Sequence, residues 1–280
     1  MRLGLGLALA LGSAGALNWG YLAQHGAASA LPPLALRRPL ASLRLLFSHR
    51  RWLAGFFAGV GGWVLYVAAL ALAPLSLVQA VSAGGIGLLA LLVQRTGAVH
   101  LSRADWTGVA VAVGGLALLG ASLAGGSTTG SRPPWVEVAL WLAASGAVAL
   151  VAAGPAARVL AGGAGFGLAA GVLYAAGDVG TKAAVFRGAW LLFIPALLAC
   201  HGVAFVSIQF GFQRGGALAT AGVAVLLTNA VPIAAGIVLF GEALPSGALG
   251  VLRLAAFAAV VVGAAMLARP SAAGAQPAPV

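Results

Sequence analysis

The sequence predicts an all-α polytopic membrane protein of about nine transmembrane helices, arranged as an inverted repeat of four helices, one linking helix and four helices. Three observations predict this fold class: the composition, the length of the apolar runs and an internal repeat. Apolar residues make up 62% of the 280 residues and charged residues only 7%, against about 25% charged residues in soluble domains. Because so few charges cannot cover a water-soluble globule, the chain belongs in a bilayer.

The apolar runs have the length of membrane spans. A helix needs about 20 apolar residues to cross a hydrocarbon core of about 30 Å. Nine runs meet this length, at 3–22, 52–73, 75–93, 106–124, 135–153, 160–179, 190–210, 217–240 and 247–267. They lack the two-residue alternation of a membrane β-barrel, and most connections between them are short, which favours an antiparallel helical bundle.

Two of the spans repeat with an odd offset. Residues 77–97 align with 221–241, and both segments continue through a serine into a span rich in Gly and Ala. The ends of the first and sixth spans also match, so each span pairs with the one five places later and crosses the membrane in the opposite direction. The predicted units are a first repeat over 1–124, a linking helix over 134–153, a second repeat over 160–268 and a disordered tail over 270–280.

Within the first repeat, a basic segment over 33–51 precedes the second span. Leu36, Leu40, Leu43 and Phe47 recur there at intervals of three and four residues, which indicates a short helix on the membrane surface with its arginines near anionic lipid headgroups. A solvated basic linker is the alternative interpretation.

The distribution of basic residues predicts an orientation. The net charge is +11, from 15 Lys and Arg residues against four acidic ones. Ten of the cations fall on one side of the predicted bilayer and five, Arg253 among them, on the other. This excess predicts that the protein lies in the inner membrane with its amino terminus outside and its carboxyl terminus on the cytoplasmic side. This bias explains the basic charge without a nucleic-acid partner. Trp52, Trp106, Trp135 and Trp190 stand at span entrances, as interfacial anchors do.

Four short motifs resemble the drug/metabolite transporter superfamily of EamA-like proteins: WLAG at 52–55, ALAPLSLVQ at 71–79, RADWTG at 103–108 and LFGEALP at 239–245. The nine-span layout is similar to that of NIPA-type magnesium transporters. The resemblance implies a transport function. The superfamily has Gly-Glu after the fourth helix of each repeat, and this chain has Gly241-Glu242 but Gly97-Ala98, which suggests that Glu242 caps or packs a turn.

Polar residues inside the spans are the candidates for a solute pathway, because such groups are costly at mid-membrane. Thr228 and Asn229 precede Pro232, whose missing amide hydrogen frees the carbonyl of Thr228. Together they predict a polar notch of the kind found at transporter binding sites, although a simple packing kink is the alternative.

Further candidates lie on the other spans. His201 could take part in proton coupling, or be a neutral side chain bonded to a neighbour. Asp178 and Lys182 are four residues apart on one helix face, which predicts a structural pair, with substrate gating as the alternative. The candidates for lining the cavity, or for bonds between helices, are Asn18, Tyr66, Gln79 and Tyr174. Glycines four residues apart, at Gly55 and Gly59 and at Gly167 and Gly171, predict close helix contacts.

These residues favour transport over catalysis. None of the four acidic residues falls at the predicted midplane, so we expect no enzyme, no cofactor and no resident metal. The leading hypothesis is a secondary active transporter that moves a small organic solute or metabolite by alternating access. Its other expected partners are the lipid bilayer and, if His201 takes part in coupling, protons. A magnesium or other divalent-cation permease ranks lower because such ions prefer carboxylate ligands. A non-transporting membrane scaffold is the third alternative.

Overall fold

The computed structural model describes residues 2–35, 38–72, 75–96, 101–122, 133–160, 162–187, 190–241 and 247–268, and every regular element in these ranges is helical. The α-helices are α1 (Arg2–Ala28), α2 (Pro39–Phe47), α3 (Arg50–Leu72), α4 (Leu75–Arg95), α5 (Arg103–Ser122), α6 (Trp135–Ala153), α7 (Ala164–Arg187), α8 (Trp190–Arg214), α9 (Val223–Val238) and α10 (Ala248–Leu267). A 3₁₀ turn at Ala156–Arg158 precedes α7, and a π turn at Leu218–Gly222 leads into α9.

The predicted fold class is confirmed. Eight of the nine predicted spans fall on one helix each, and the span 217–240 falls on the π turn and α9; α2 is the helix predicted in the basic segment. Within the described ranges, five stretches are long and apolar enough to cross a membrane: Gly4–Ala28, Trp135–Arg158, Pro195–Arg214, Leu218–Val238 and Ala248–Leu267. Shorter apolar helical stretches lie at Gly85–Arg95 and Ala164–Gly180. The chain is therefore a multi-pass helical membrane protein.

The helices pack in a similar order in the two halves of the chain. In the first half α1 packs along α3 and α4, and in the second half α7 packs along α8 and α9. The most extensive contact between the halves joins α5 to α10, and α6 lies against α7. This order supports the inverted repeat, whose boundaries stay a prediction. The predicted tail, 270–280, and Glu242 lie outside the described residues.

Small residues let the helix backbones approach closely. A Cβ added at Gly55 of α3 would lie 2.7 Å from the carbonyl oxygen of Gly20 on α1. A Cβ at Gly167 or Gly171 of α7 would collide with backbone carbonyls of the π turn and α9. The predicted close contacts are thus confirmed at these three glycines, and the Gly59 backbone also lies close to α1, since a Cβ added at Gly20 would be 3.2 Å from its nitrogen.

The RADWTG segment has a structural explanation at the start of α5. The Asp105 carboxylate accepts hydrogen bonds from the Ser102 backbone N–H at 2.8 Å and from its hydroxyl at 2.7 Å, while the Asp105 N–H donates to Ser102 Oγ at 3.2 Å. This reciprocal arrangement is a capping box, which satisfies backbone donors at a helix N-terminus. Asp105 therefore caps the N-terminus of α5.

One expectation about a single residue is wrong. Trp52 is not an interfacial anchor: it is fully buried, and its ring stacks on Phe56 at 5.5 Å. Arg253, counted above among the cations of the outer side, is 4% exposed and lies near the start of α10. Its guanidinium donates a hydrogen bond to the carbonyl oxygen of Ser122 at 2.9 Å, and so provides a donor for a carbonyl group at the C-terminus of α5. By contrast, Trp135 is 64% exposed at the start of α6, as an anchor should be.

Candidate functional site

Two of the predicted site residues, Asp178 and His201, meet between α7 and α8. His201 Nε2 lies 3.7 Å from Asp178 Oδ1, and their side chains are 38% and 50% exposed respectively. Ionisable side chains in membrane helices face the bundle interior or a water-filled cavity, because hydrocarbon does not solvate them. A half-exposed carboxylate in this setting therefore marks a place that a cation can reach.

The His201 ring is held from two further directions. Its Nδ1 lies 3.0 Å from the carbonyl oxygen of Leu197, one turn earlier in α8, and the ring packs edge-on against Tyr174 at 5.6 Å between centroids. Both ring nitrogens thus face acceptor oxygens. A neutral imidazole has only one N–H and can donate to one of these oxygens, whereas the doubly protonated ring can donate to both. The Asp178 carboxylate can hold either that imidazolium or another cation.

Gly177 makes the room in which the His201 ring lies. A Cβ added at Gly177 would overlap Cε1 and Nδ1 of the imidazole. Any other residue at this position would have to displace the ring. The sequence Gly177-Asp178 therefore supplies both the space for His201 and the carboxylate that faces it.

Two tyrosines extend the polar region towards the first half of the chain. Tyr66 of α3 lies within electrostatic range of the Asp178 carboxylate, and Tyr21 of α1 lies within the same range of Tyr174. Asp178, His201 and Tyr174 are thus joined by direct contacts, and Tyr66 is near enough to Asp178 for their charges to interact. We call these four residues the Asp178 site.

The predicted notch on α9 makes its hydrogen bonds within its own helix. Thr228 Oγ1 donates to the carbonyl of Ala224 at 2.9 Å, and Asn229 Nδ2 donates to that of Val225 at 2.8 Å. The helix continues through Pro232. These bonds satisfy the side-chain donors within α9. The role of the notch in a solute pathway stays a prediction.

Asn18 of α1 is 4% exposed. Its Nδ2 donates to the Ala14 carbonyl at 2.8 Å, and a Cβ at Gly85 of α4 would come within 2.7 Å of that nitrogen. Within the described part of the chain, Asn18 Oδ1 is buried without a hydrogen-bond partner. The remaining candidates, Gln79 on α4 and Lys182 on α7, have side chains outside the described residues, so the predicted pair between Asp178 and Lys182 stays a prediction.

A buried polar network was missed by the sequence reasoning. Gln209 of α8 accepts a hydrogen bond from Trp52 Nε1 at 2.8 Å and donates to Gln24 Oε1 of α1 at 2.8 Å. All three side chains are at most 5% exposed. The sequence does carry a sign of this network: two glutamines lie within or beside apolar runs, where a buried amide needs a hydrogen-bond partner. We call Gln24, Trp52 and Gln209 the Gln209 network.

We expect Gln209→Leu to destabilise the protein by about 1–3 kcal/mol, because it leaves the Trp52 N–H and the Gln24 amide buried without partners. Thermal unfolding in detergent measures the loss. The triple variant Trp52→Phe/Gln24→Leu/Gln209→Leu is the control, because it removes the partners as well and should lose less. An unfolding midpoint of Gln209→Leu equal to that of the wild type would contradict the assignment.

Among the described residues, no group of three or more His, Cys, Asp or Glu side chains is placed to hold a metal ion. The Asp178 site therefore offers one carboxylate, one imidazole and two phenols. Such a set suits a cation that keeps part of its water shell, since Mg²⁺ is commonly bound through one or two carboxylates and several waters.

Comparison with known proteins gives one informative similarity. The chain is 27% identical over 269 residues to the probable magnesium transporter NIPA9 of Arabidopsis thaliana, and this alignment covers 89% of the chain and 77% of the relative. No family model and no solved structure matches the chain, so the resemblance to the drug/metabolite transporter superfamily stays an expectation. The chain is thus a multi-pass helical membrane protein that is similar, over most of its length, to a probable magnesium transporter.

Proposed function

We propose that this chain is a secondary transporter that moves a divalent cation of the magnesium class, with Asp178 as the carboxylate on its path. The observation that carries the proposal is the half-exposed carboxylate at the junction of α7 and α8, in a chain similar to a probable magnesium transporter. A partly hydrated cation needs only one or two carboxylates. The shortage of acidic residues therefore argues against a dehydrated site and leaves a hydrated one open.

His201 supplies a way to couple the cation to protons. An imidazolium and a divalent cation compete for the same Asp178 oxygen, so binding of one favours release of the other. Movement of the two repeats would then expose the Asp178 site alternately to the two sides of the membrane, as in other transporters built from inverted repeats. The predicted exchange is one of cation against protons.

An organic solute is the second candidate cargo. It is favoured by the aromatic rings of Tyr66 and Tyr174 at the Asp178 site, because pockets for organic ligands combine aromatic walls with a few polar groups. An organic cation would use the same carboxylate.

Uptake into proteoliposomes tests the proposal. Vesicles that contain a Mg²⁺-sensitive dye should show saturable uptake driven by a Mg²⁺ gradient, above the leak of protein-free vesicles. An excess of another divalent ion should compete with this uptake. Protein-containing vesicles that take up Mg²⁺ no faster than protein-free ones would overturn the cation proposal, and inhibition by organic cations alone would favour the second candidate. Folded protein without any flux would support the scaffold alternative.

We expect Mg²⁺ uptake to slow as the pH falls, because protonation of His201 produces an imidazolium that then occupies Asp178. The His201→Gln variant should lose most of this dependence. Initial uptake rates between pH 5.5 and 8 at constant ionic strength, about 0.15 M, measure the effect free of changes in screening. The same steep profile in wild type and His201→Gln would assign the titration to another group.

In the proposed orientation the amino terminus lies outside and the carboxyl terminus lies on the cytoplasmic side of the inner membrane, because Lys and Arg are in excess on one side. A reporter fused to the carboxyl terminus, active only in the cytoplasm, tests it. A fusion that is active only outside would reverse the orientation.

A further inference from the structure

The helix α2 is fixed against the bundle by a set of specific contacts. Gln213 of α8 accepts a hydrogen bond from the Leu34 N–H at 2.9 Å and donates to the Ala28 carbonyl at 3.0 Å, so it holds the segment that leads from α1 to α2. The Ser42 hydroxyl bonds both backbone groups of Ala35. These contacts give α2 a defined position beside α8.

A groove opens between α2 and α8. Its empty volume, including the open mouth, is about 420 Å³. Its apolar walls, which define what we call the α2–α8 groove, are Leu34, Leu43, Leu46, Phe205, Val206 and Phe210.

The two polar residues of the groove do not offer their polar atoms to a ligand. Ser42 Oγ bonds the backbone of Ala35, and the Gln209 amide bonds Trp52 and Gln24. The groove therefore presents hydrocarbon on all its sides. A flexible hydrocarbon chain is the ligand that such a surface favours, since any polar group placed inside would lack a partner.

Exposed cations precede, lie on and follow α2, the helix that forms one wall of the groove. Arg38 and Arg44 are exposed at the start and on the surface of α2, and Arg50 and Arg51 are exposed at the start of α3. The first acidic residue in the chain is Asp105, so no carboxylate from this part of the sequence neutralises them. The local charge is positive and needs anions from outside the segment.

We propose that the α2–α8 groove holds an acyl chain of an anionic phospholipid, with the phosphate of that lipid against the arginines of α2 and the start of α3. The groove chemistry selects hydrocarbon, and the arginine cluster selects a negative headgroup, so an anionic lipid satisfies both. A zwitterionic lipid gains the apolar contact without the net attraction of its headgroup to the arginines. This site is separate from the Asp178 site and does not depend on the cargo.

The groove wall also connects the lipid to the interior of the bundle. Gln209 contributes to the wall and is the centre of the Gln209 network, which joins α1, α3 and α8. Occupancy of the groove should therefore stabilise the packing of these three helices.

Thermal unfolding of the full chain in detergent tests the proposal, because a ligand that binds the folded state raises the unfolding midpoint. Phosphatidylglycerol should raise the midpoint at lower concentrations than phosphatidylcholine with the same acyl chains. In Arg44→Gln/Arg50→Gln, the phosphatidylglycerol concentration for a half-maximal shift should rise at least about fivefold, since each arginine contributes to attraction at the membrane surface. The control Arg158→Gln, at an exposed arginine of the 3₁₀ turn, should leave it unchanged.

A second variant tests the groove itself. Val206→Trp fills part of the cavity while the arginines remain, and it should weaken stabilisation by phosphatidylglycerol at least as much as the arginine double variant does. Equal stabilisation of the wild type by the two lipids would overturn the proposal, as would a double variant that behaves like the wild type. Full phosphatidylglycerol stabilisation of Val206→Trp would also overturn it, because binding would then be to the charged surface alone.

Discussion

Replacement of Asp178 by asparagine should lower the initial rate of Mg²⁺ uptake into proteoliposomes by about tenfold to a hundredfold. The substitution keeps the size of the side chain but removes the charge that either a cation or the His201 imidazolium requires. Loss of a hydrogen bond to a charged group costs about 1.5–3 kcal/mol, which corresponds to this range of rates. The half-exposed position of Asp178 means that the variant should still fold.

Two further acid substitutions make the Asp178 result specific. Glu137→Gln, at an exposed acid in the first turn of α6, should transport like the wild type because it removes one negative charge without removing any contact described for the Asp178 site. Asp178→Glu keeps the charge and should retain more transport than Asp178→Asn. If Asp178→Asn transported as fast as Glu137→Gln, the carboxylate would not be on the cation path.

The variant Gly177→Ala should produce nearly as large a loss of transport without removing any charged group. Its methyl group would overlap the His201 ring, so the ring must leave its position beside Asp178. Alanine is otherwise favoured over glycine in a helix by about 1 kcal/mol. A loss of stability is therefore not the expected cause of the transport defect.

The matched control for Gly177→Ala is Gly202→Ala, next to His201 in α8, where an added Cβ has no neighbour within 4 Å. We expect this control to transport like the wild type. Gly177→Ala should also lose the decline of uptake at low pH, as His201→Gln does. Wild-type rates and a wild-type pH profile in Gly177→Ala would show that the position of the His201 ring does not matter for transport.

The fold could be predicted from the sequence because a bilayer imposes a length on every span and the connections are short. The errors occur where polar residues lie at span ends. The first span is predicted to end at residue 22, but α1 continues to Ala28 because the amide of Gln24 finds a buried partner in Gln209. The prediction of Trp52 at the interface is wrong for the same reason, because nothing in the local sequence shows that its N–H has a partner on another helix.

The partner of Asp178 likewise cannot be predicted from the local sequence. The four-residue spacing on one helix face suggests Lys182 as the partner of Asp178. The structure brings the carboxylate to His201 on α8, a contact that depends on how α7 and α8 are aligned and on the space at Gly177. Sequence patterns identify which residues are polar inside a span, but the alignment of packed helices decides which of them meet.

The cargo proposed from the comparison differs from the one that the composition favours. The scarcity of acidic residues favours an organic solute over a divalent cation if the protein must replace most of the water around the ion. The similarity to a probable magnesium transporter favours the cation, and a site with one carboxylate is compatible with it if the ion keeps its water.

The buried Arg253 bears on how the protein is inserted into the membrane. An arginine at the centre of an isolated transmembrane helix raises the cost of insertion by about 2.5–3.5 kcal/mol, and one nearer the helix end raises it by less. In the folded protein its guanidinium is bound by Ser122 at the end of α5, a helix that is synthesised long before α10. Pairing with Ser122 thus lowers the cost of placing Arg253 in the bilayer, which favours the insertion of α10 once α5 is already in place.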